Sequence, residues 1–391
     1  MKEPKRWRPG DRAELKVEIT DQLVREFSEW SGDKNPLHLD AKYAESTRFH
    51  RRVAHGMSFG SLFSRLIGMD IPGPGALWTS QSFQFLKPVF IGDHLVLSVQ
   101  VIEYSETSGF MNLDCRATNQ LGEEVMIGKG EVLSTVPIKE NGECDSPQET
   151  KIAIVTGASR GIGAAIAKRL DSMGFTLGLT YKTAGEEAAA LAKSLKDAHI
   201  LAADLADPMN ADSVYKEFEA KIGPATTLVL NAGDRDMYGP AAGSDFKQFA
   251  RHLTTQIESA HSLVSAALPH MKRVGRGSIV AIGSNYTIGA PPTNMAPYVV
   301  AKSALAGWVR CLAADFGRYQ IRANLVAPGM TETSLLAGVQ DRQKKVASVQ
   351  NPMRRLGLPE DVAGAVAFLV GPDSEYINGE TLVVDGGTSM H

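Results

Sequence analysis

Polar and apolar positions alternate along much of the first third of the chain. Leu95, Leu97, Val99 and Val101 fall on one side of an extended segment, and Met111, Leu113, Cys115 and Ala117 on one side of the next, with turn residues between. A period of two predicts neighbouring antiparallel strands that cover a core with one face and meet water with the other. Ahead of them, Leu23, Val24, Phe27 and Trp30 recur at helical spacing after Thr20, and a second apolar helix is expected over residues 57–67. The result is an α+β unit that ends in a meander.

Residues 137–150 are polar, proline-flanked and without apolar period, so they read as a linker. Beyond them the rhythm changes to short apolar runs at residues 152–155, 228–230 and 279–282, each followed by a longer helical stretch. That alternation predicts an α/β doubly wound parallel sheet. No repeat relates the halves, so the expected organisation is a domain at 1–136, the linker, and an unrelated domain at 151–391.

The chain has 391 residues, enough for two cores. Its composition, 43% hydrophobic and 22% charged, is that of a globular protein, and no apolar run approaches the roughly 18–20 residues of a membrane span. The start, Met1-Lys2-Glu3-Pro4-Lys5-Arg6-Trp7, is charged where a secretory signal carries its apolar core, so a cytoplasmic location is expected. Cys115, Cys144 and Cys311 are too few and too scattered for a disulfide framework or a zinc site, and no metal is expected. A formal charge of −3 gives no net attraction to nucleic acid.

Chemistry enters where the run at 152–155 passes into Thr156-Gly157-Ala158-Ser159-Arg160-Gly161-Ile162-Gly163 and then a helix. Glycines there allow a tight turn and close backbone approach to a pyrophosphate, which the helix N-terminus favours. Downstream, Tyr298 and Lys302 share a helix face, and a nearby ammonium is expected to lower the phenol's pKa toward the working range. Ser284 follows the buried strand at 278–282, where its hydroxyl can hold a substrate carbonyl. The strand expected at 176–180 ends in Tyr181-Lys182 rather than in an acidic residue. With Arg160, Lys182 supplies a second cation for a ribose 2′-phosphate, which favours NADP(H) over NAD(H).

In these residues the second half resembles the short-chain dehydrogenase/reductases, and among them the 3-oxoacyl-[acyl-carrier-protein] reductases. The resemblance runs through Gly157, Gly161 and Gly163, Asp204-Leu205, Asn231-Ala232-Gly233, Ser284, Tyr298, Lys302, Pro328-Gly329-Met330-Thr331, Asn378-Gly379 and Asp385-Gly386-Gly387. It implies a Rossmann domain that binds NADP(H) through Gly157, Ser159, Arg160, Gly161, Ile162, Gly163, Lys182, Asp204, Leu205, Asn231, Ala232, Gly233, Tyr298, Lys302, Pro328, Gly329 and Thr331. It further implies hydride transfer to a carbonyl, with Tyr298 protonating the oxygen, Ser284 orienting it and Lys302 also gripping the cofactor ribose. One position departs from the pattern: Gln256 stands where the family places an asparagine that completes a proton relay through water.

In the first half, Ser31-Gly32-Asp33-Lys34-Asn35-Pro36-Leu37-His38 places an Asp and a His around a proline turn, able to converge on one water. In Val53-Ala54-His55-Gly56-Met57 a glycine opens a helix whose free N–H groups suit the enolate oxygen of a thioester. These segments, with Phe85-Leu86-Lys87-Pro88-Val89-Phe90-Ile91-Gly92-Asp93, resemble the MaoC-like hot-dog family and its (R)-specific enoyl-CoA hydratases. The resemblance implies a sheet wrapped around a central helix, Asp33 and His38 as the catalytic pair, the Gly56 backbone as oxyanion donor and Ser64 as a nearby polar group.

The two halves are chemically consecutive. Reduction of a 3-oxoacyl thioester gives the (R)-3-hydroxyacyl form, and removal of water from that gives the trans-2-enoyl thioester. The expected protein is a bifunctional reductase and dehydratase/hydratase acting on an acyl thioester of coenzyme A or an acyl carrier protein, and a homo-oligomer. The alternative is a reductase whose hot-dog half binds acyl groups or pairs subunits without turnover.

Overall fold

The computed structural model describes residues 7–105, 109–134, 151–234, 236–243, 245–334, 336 and 339–390, and for 208–212 the backbone only. The chain divides into two compact units, Met1–Glu143 and Cys144–His391. The expected linker at 137–150, with Cys144 in it, lies outside the described residues.

The first unit is built on five antiparallel strands, β1 (Arg12–Glu18), β2 (Ala76–Phe85), β3 (His94–Tyr104), β4 (Phe110–Thr118) and β5 (Glu124–Ser134), in the order β1-β3-β4-β5-β2. The four alternating residues of β3 and the four of β4 are all buried in one core. Each such large apolar side chain contributes about 1.5–3 kcal/mol over leaving it in water. Helical turns supply Phe59, Phe63, Leu66 and Ile67 to the same core.

Two expectations change here. The helix expected over 57–67 is in pieces: Gly56–Gly60, then Phe63–Arg65, then a wide π turn over Leu66–Asp70, with Met57 exposed. Gly60 lowers its propensity, and the Ser58 and Ser61 hydroxyls donate to the carbonyls of His55 (2.6 Å) and Ser58 (3.0 Å), in competition with the helical ladder. Trp30 does not join the buried face of α1 (Asp21–Ser31); it is 83% exposed at the last turn, 6.0 Å from the ring of Phe27. The helix ends at Ser31 and is capped by Gly32, whose left-handed conformation releases the chain toward Asp33.

The second unit carries seven parallel strands, β6 (Lys151–Val155), β7 (Phe175–Tyr181), β8 (Ala198–Ala202), β9 (Thr227–Leu230), β10 (Gly277–Ile282), β11 (Ile321–Pro328) and β12 (Thr381–Val384). Their order is β12-β11-β10-β9-β6-β7-β8. The chain moves outward from β6 to β8 and then returns to the other side of β6 with β9. That reversal opens a crevice at the strands' carboxyl ends, the place where such sheets bind ligands. The helices that matter for the site are α2 (Gly161–Ser172), α3 (Phe246–Leu253), α4 (Ser259–Val274) and α5 (Ala296–Phe316). Among the described residues no helix is long and apolar enough to cross a membrane.

Candidate active sites

In the second unit a cavity of about 580 Å³ opens at the crevice. The loop from β6 to α2 forms its floor and can do so only with glycine at Gly163, where a Cβ would stand 2.4 Å from the carbonyl oxygen of Gly157. The loop is pinned from behind. Thr180 Oγ1 accepts from the Gly157 N–H at 3.0 Å, and the Asn231 amide donates to the carbonyls of Thr156 (2.9 Å) and Gly157 (3.0 Å). Thr156 Oγ1 accepts from the N–H groups of Asn231 and Ala232. Arg160, the N-cap of α2, gives no side-chain bond to the first helical turn, which leaves those N–H groups suited to an anion.

Every residue expected at the cofactor lines this one cavity: Gly157, Ser159, Arg160, Gly161, Ile162, Gly163, Lys182, Asp204, Leu205, Asn231, Ala232, Gly233, Tyr298, Lys302, Pro328, Gly329 and Thr331. Ser284 lines it too. Lys182, however, is not a lone cation: its ammonium lies 2.8 Å from a carboxylate oxygen of Asp204. Burial opposes the charge on Asp204, yet Lys182 and the Ala206 N–H hold its carboxyl below the usual range.

Ser284 sits just past the end of β10, and Tyr298 lies in the first turns of α5 with Lys302 one turn on. The Ser284 hydroxyl is hydrogen-bonded to the Tyr298 phenol and accepts from the Tyr286 N–H at 3.2 Å. Lys302, 5% exposed, donates to the Ile282 carbonyl at 2.6 Å, its Nζ 5.9 Å from the centre of the Tyr298 ring. The expected lowering of the phenol's pKa does not occur in the protein alone. Burial pushes Tyr298 up, against the Ser284 hydrogen bond, and Tyr286 adds to the rise. Burial also brings Lys302 down to about 8, so the ammonium is itself poorly supported.

Gln256 is the one expected residue that does not line the cavity, although its neighbour Thr255 does. It is buried in a π turn over Thr254–Glu258 between α3 and α4, and its amide meets His252.

In the first unit, Asp33 and His38 do converge, and His55 joins them. One ligand atom from each of the three lies within 4.8 Å of the others. His38 Nδ1 lies 2.7 Å from the Val53 carbonyl; a carbonyl only accepts, so Nδ1 carries the proton and Nε2 is left bare. His55 Nε2 lies 3.0 Å from the Asp33 carbonyl and 4.0 Å from its carboxylate, so there Nε2 carries the proton. Its Nδ1 is buried without a partner. The imidazoles of His38 and His55 lie against each other, centroids 3.8 Å apart and planes tilted by 34°. Burial lowers the pKa of His55, more than the Asp33 carbonyl raises it.

Gly56 begins its helix next to this cluster, and a Cβ there would stand 2.7 Å from the Phe85 ring. His55, as N-cap, leaves the first turn without a side-chain bond. Ser64 is exposed in the second helical piece. Sequence reasoning left Thr156, Thr180, His55 and His252 without a role. His55 stood inside a quoted motif, whereas His252 has no local signal, because its meaning arises only from what packs around it.

Comparison with known proteins agrees with this division. The family described as Enoyl-(Acyl carrier protein) reductase matches residues 157–389, and the family described as MaoC like domain matches residues 8–125. The 3-oxoacyl-[acyl-carrier-protein] reductase FabG of Escherichia coli (strain K12) is 35% identical over 245 residues, 62% of this chain and 98% of that protein. FabG of Staphylococcus aureus (strain Mu50 / ATCC 700699) is 31% identical over 247 residues, 62% of this chain and 99% of that protein. A blue fluorescent protein from a metagenomic library, crystallised with NADPH, superposes with TM-score 0.57 at 34% identity, covering 61% of this chain and 98% of its own. A short-chain dehydrogenase from Burkholderia cenocepacia J2315 in complex with NADP gives 0.56 at 33% identity, covering 61% and 97%. The chain therefore belongs to the short-chain dehydrogenase/reductase family through its second unit and carries a MaoC-like domain in its first.

Proposed function

We propose that the chain is a bifunctional enzyme that reduces a 3-oxoacyl thioester to the (R)-3-hydroxyacyl form with NADPH and reversibly removes water from it to give the trans-2-enoyl thioester. The domain bounds proposed are 1–136 and 151–391, the first with a hot-dog fold. The observation that carries the reading is the presence in one chain of a Ser284–Tyr298–Lys302 site on a glycine-floored cavity and of an Asp33–His38 pair beside a free helix start.

The cavity fits a dinucleotide: Gly163 excludes any Cβ, and the first turn of α2 offers uncapped N–H groups. Arg160 and Lys182 favour NADP(H), with Lys182 exchanging Asp204 for the 2′-phosphate; the related structures with NADPH and NADP support the same choice. A bound nicotinamide supplies the hydride. The Ser284 and Tyr298 hydroxyls hold the carbonyl oxygen, and Tyr298 gives it a proton as negative charge develops. The charge of Lys302 favours the tyrosinate left behind.

In the first unit the bare Nε2 of His38 takes the proton from C2 while Gly56 N–H supports the thioester oxygen. The C3–O bond then breaks, and the proton passes through His38 and Asp33 to the departing oxygen, which leaves as water. Coenzyme A and a carrier protein remain equal as thioester carriers, and the resemblance of both halves to families that self-associate adds a homo-oligomer to the proposal. Incubation of the full chain with acetoacetyl-CoA and NADPH tests the reading: 3-hydroxybutyryl-CoA and crotonyl-CoA are both expected. Absence of crotonyl-CoA, together with no hydration when crotonyl-CoA is supplied, would overturn the bifunctional reading in favour of a reductase alone.

A further inference from the structure

His252 and Gln256 sit one helical turn apart, 1% and 3% exposed. His252 Nε2 lies 2.6 Å from the backbone carbonyl of Asp236, so Nε2 bears the proton and the neutral ring turns a bare Nδ1 to Gln256. The Gln256 amide nitrogen lies 3.4 Å from that Nδ1. The opposite amide orientation would bring two acceptors together, so the imidazole dictates which way the amide faces. As a result Oε1 points elsewhere, fully buried and without a hydrogen-bond partner. A buried acceptor left open is costly and calls for a donor, commonly a water.

Two observations place the His252–Gln256 pair beside the reductase site. The His252 ring stands edge-on to Tyr298 with centroids 6.3 Å apart. Gln256 also lies in a π turn, a local widening common at functional positions, whose Thr255 lines the same cavity as Tyr298.

We propose that His252 is a positioning residue for the reductase: it clamps the Gln256 amide so that Oε1 holds the water through which Tyr298 is reprotonated after each turnover. The clamp rests on the proposed reductase function but is a separate structural claim. A longer side chain in place of the family's asparagine is thereby fixed in orientation by a second residue rather than by its own short arm.

The full chain, assayed with NADPH against acetoacetyl-CoA and against carrier-free ethyl acetoacetate, tests this. His252→Phe is expected to lower kcat about tenfold on both, below the roughly 10²–10⁴-fold of a group that itself transfers the proton. It should also raise the solvent isotope effect on kcat and leave the affinity for NADPH within twofold. Gln256→Leu should do the same, and the double variant should lose no more than either alone. Multiplicative losses, or an unchanged kcat in His252→Phe, would overturn the clamp. If His252→Phe fails to fold, Gln256→Met, unbranched and without the amide, removes the contact while keeping the ring and should show the same kcat loss. Independently of turnover, the ¹⁵N resonances of His252 in the unsubstituted protein should report the Nε2–H tautomer; an Nδ1–H tautomer contradicts the proposal. Failure of the wild type to reduce either carbonyl sinks the function reading alone, and the tautomer then decides the clamp.

Discussion

The ammonium of Lys302 stands 5.9 Å from the ring centre of Tyr298 and is anchored at 2.6 Å to the carbonyl of Ile282. Neither group is tuned for catalysis in the protein alone: burial raises the phenol and lowers the ammonium to about 8. A polyanionic cofactor beside them changes the balance, because negative charge favours protonated Lys302. Between pH 8 and 9 the free protein holds Lys302 partly neutral, so NADPH binding is expected to take up protons there. Calorimetry in two buffers of different ionisation enthalpy reads this uptake. Lys302→Met should abolish it; an uptake that persists in the variant refutes the assignment.

Removal of the phenol leaves the cavity walls in place. Tyr298→Phe should therefore reduce the turnover of acetoacetyl-CoA by about 10²–10⁴-fold while NADPH affinity, read by fluorescence titration, moves little. A comparable loss of affinity would mean that the substitution has deformed the cavity rather than removed an acid.

Lys182 answers to Asp204 in the free protein, at 2.8 Å. Lys182→Ala should raise KM for NADPH about tenfold, equivalent to about 1.4 kcal/mol, and leave KM for NADH nearly unchanged. Equal effects on both coenzymes would place the 2′-phosphate elsewhere.

Much of this was open to inspection in the sequence, and the exceptions have physical causes. Strand periodicity in β3 and β4 predicted the buried faces residue by residue, because alternation is enforced by the pleat. The helix at 57–67 was misjudged because apolar spacing does not register serine hydroxyls competing for carbonyls. Trp30 has the right spacing but falls in the last turn of α1, where it stands largely in water. In the site, glycines and the Tyr–Lys spacing were legible since their chemistry is local. The Lys182–Asp204 pair, the His38–His55 stack and the His252–Gln256 contact join residues whose meeting depends on the fold. The direction of the Tyr298 shift was misread for the same reason: spacing reveals the cation but not the desolvation.

His55 is held neutral by burial, with its pKa below the ordinary histidine value. A proton is thus bound better by the unfolded chain, so this contribution to stability is present above about pH 6.5 and is lost as pH falls toward the folded value. The melting midpoint of the first unit, followed calorimetrically in the full chain, should drop between pH 7.5 and 5.5. His55→Gln should flatten that dependence; an unchanged slope would assign it to other groups.

The central claim is that one chain carries out two consecutive steps on one acyl thioester, and it is tested most directly by stopping the second while sparing the first. With acetoacetyl-CoA and NADPH, Asp33→Asn should oxidise NADPH at the wild-type initial rate and accumulate 3-hydroxybutyryl-CoA with no crotonyl-CoA detected by mass spectrometry. Crotonyl-CoA formed by Asp33→Asn at the wild-type rate would contradict the assignment of the dehydration to the Asp33–His38 pair.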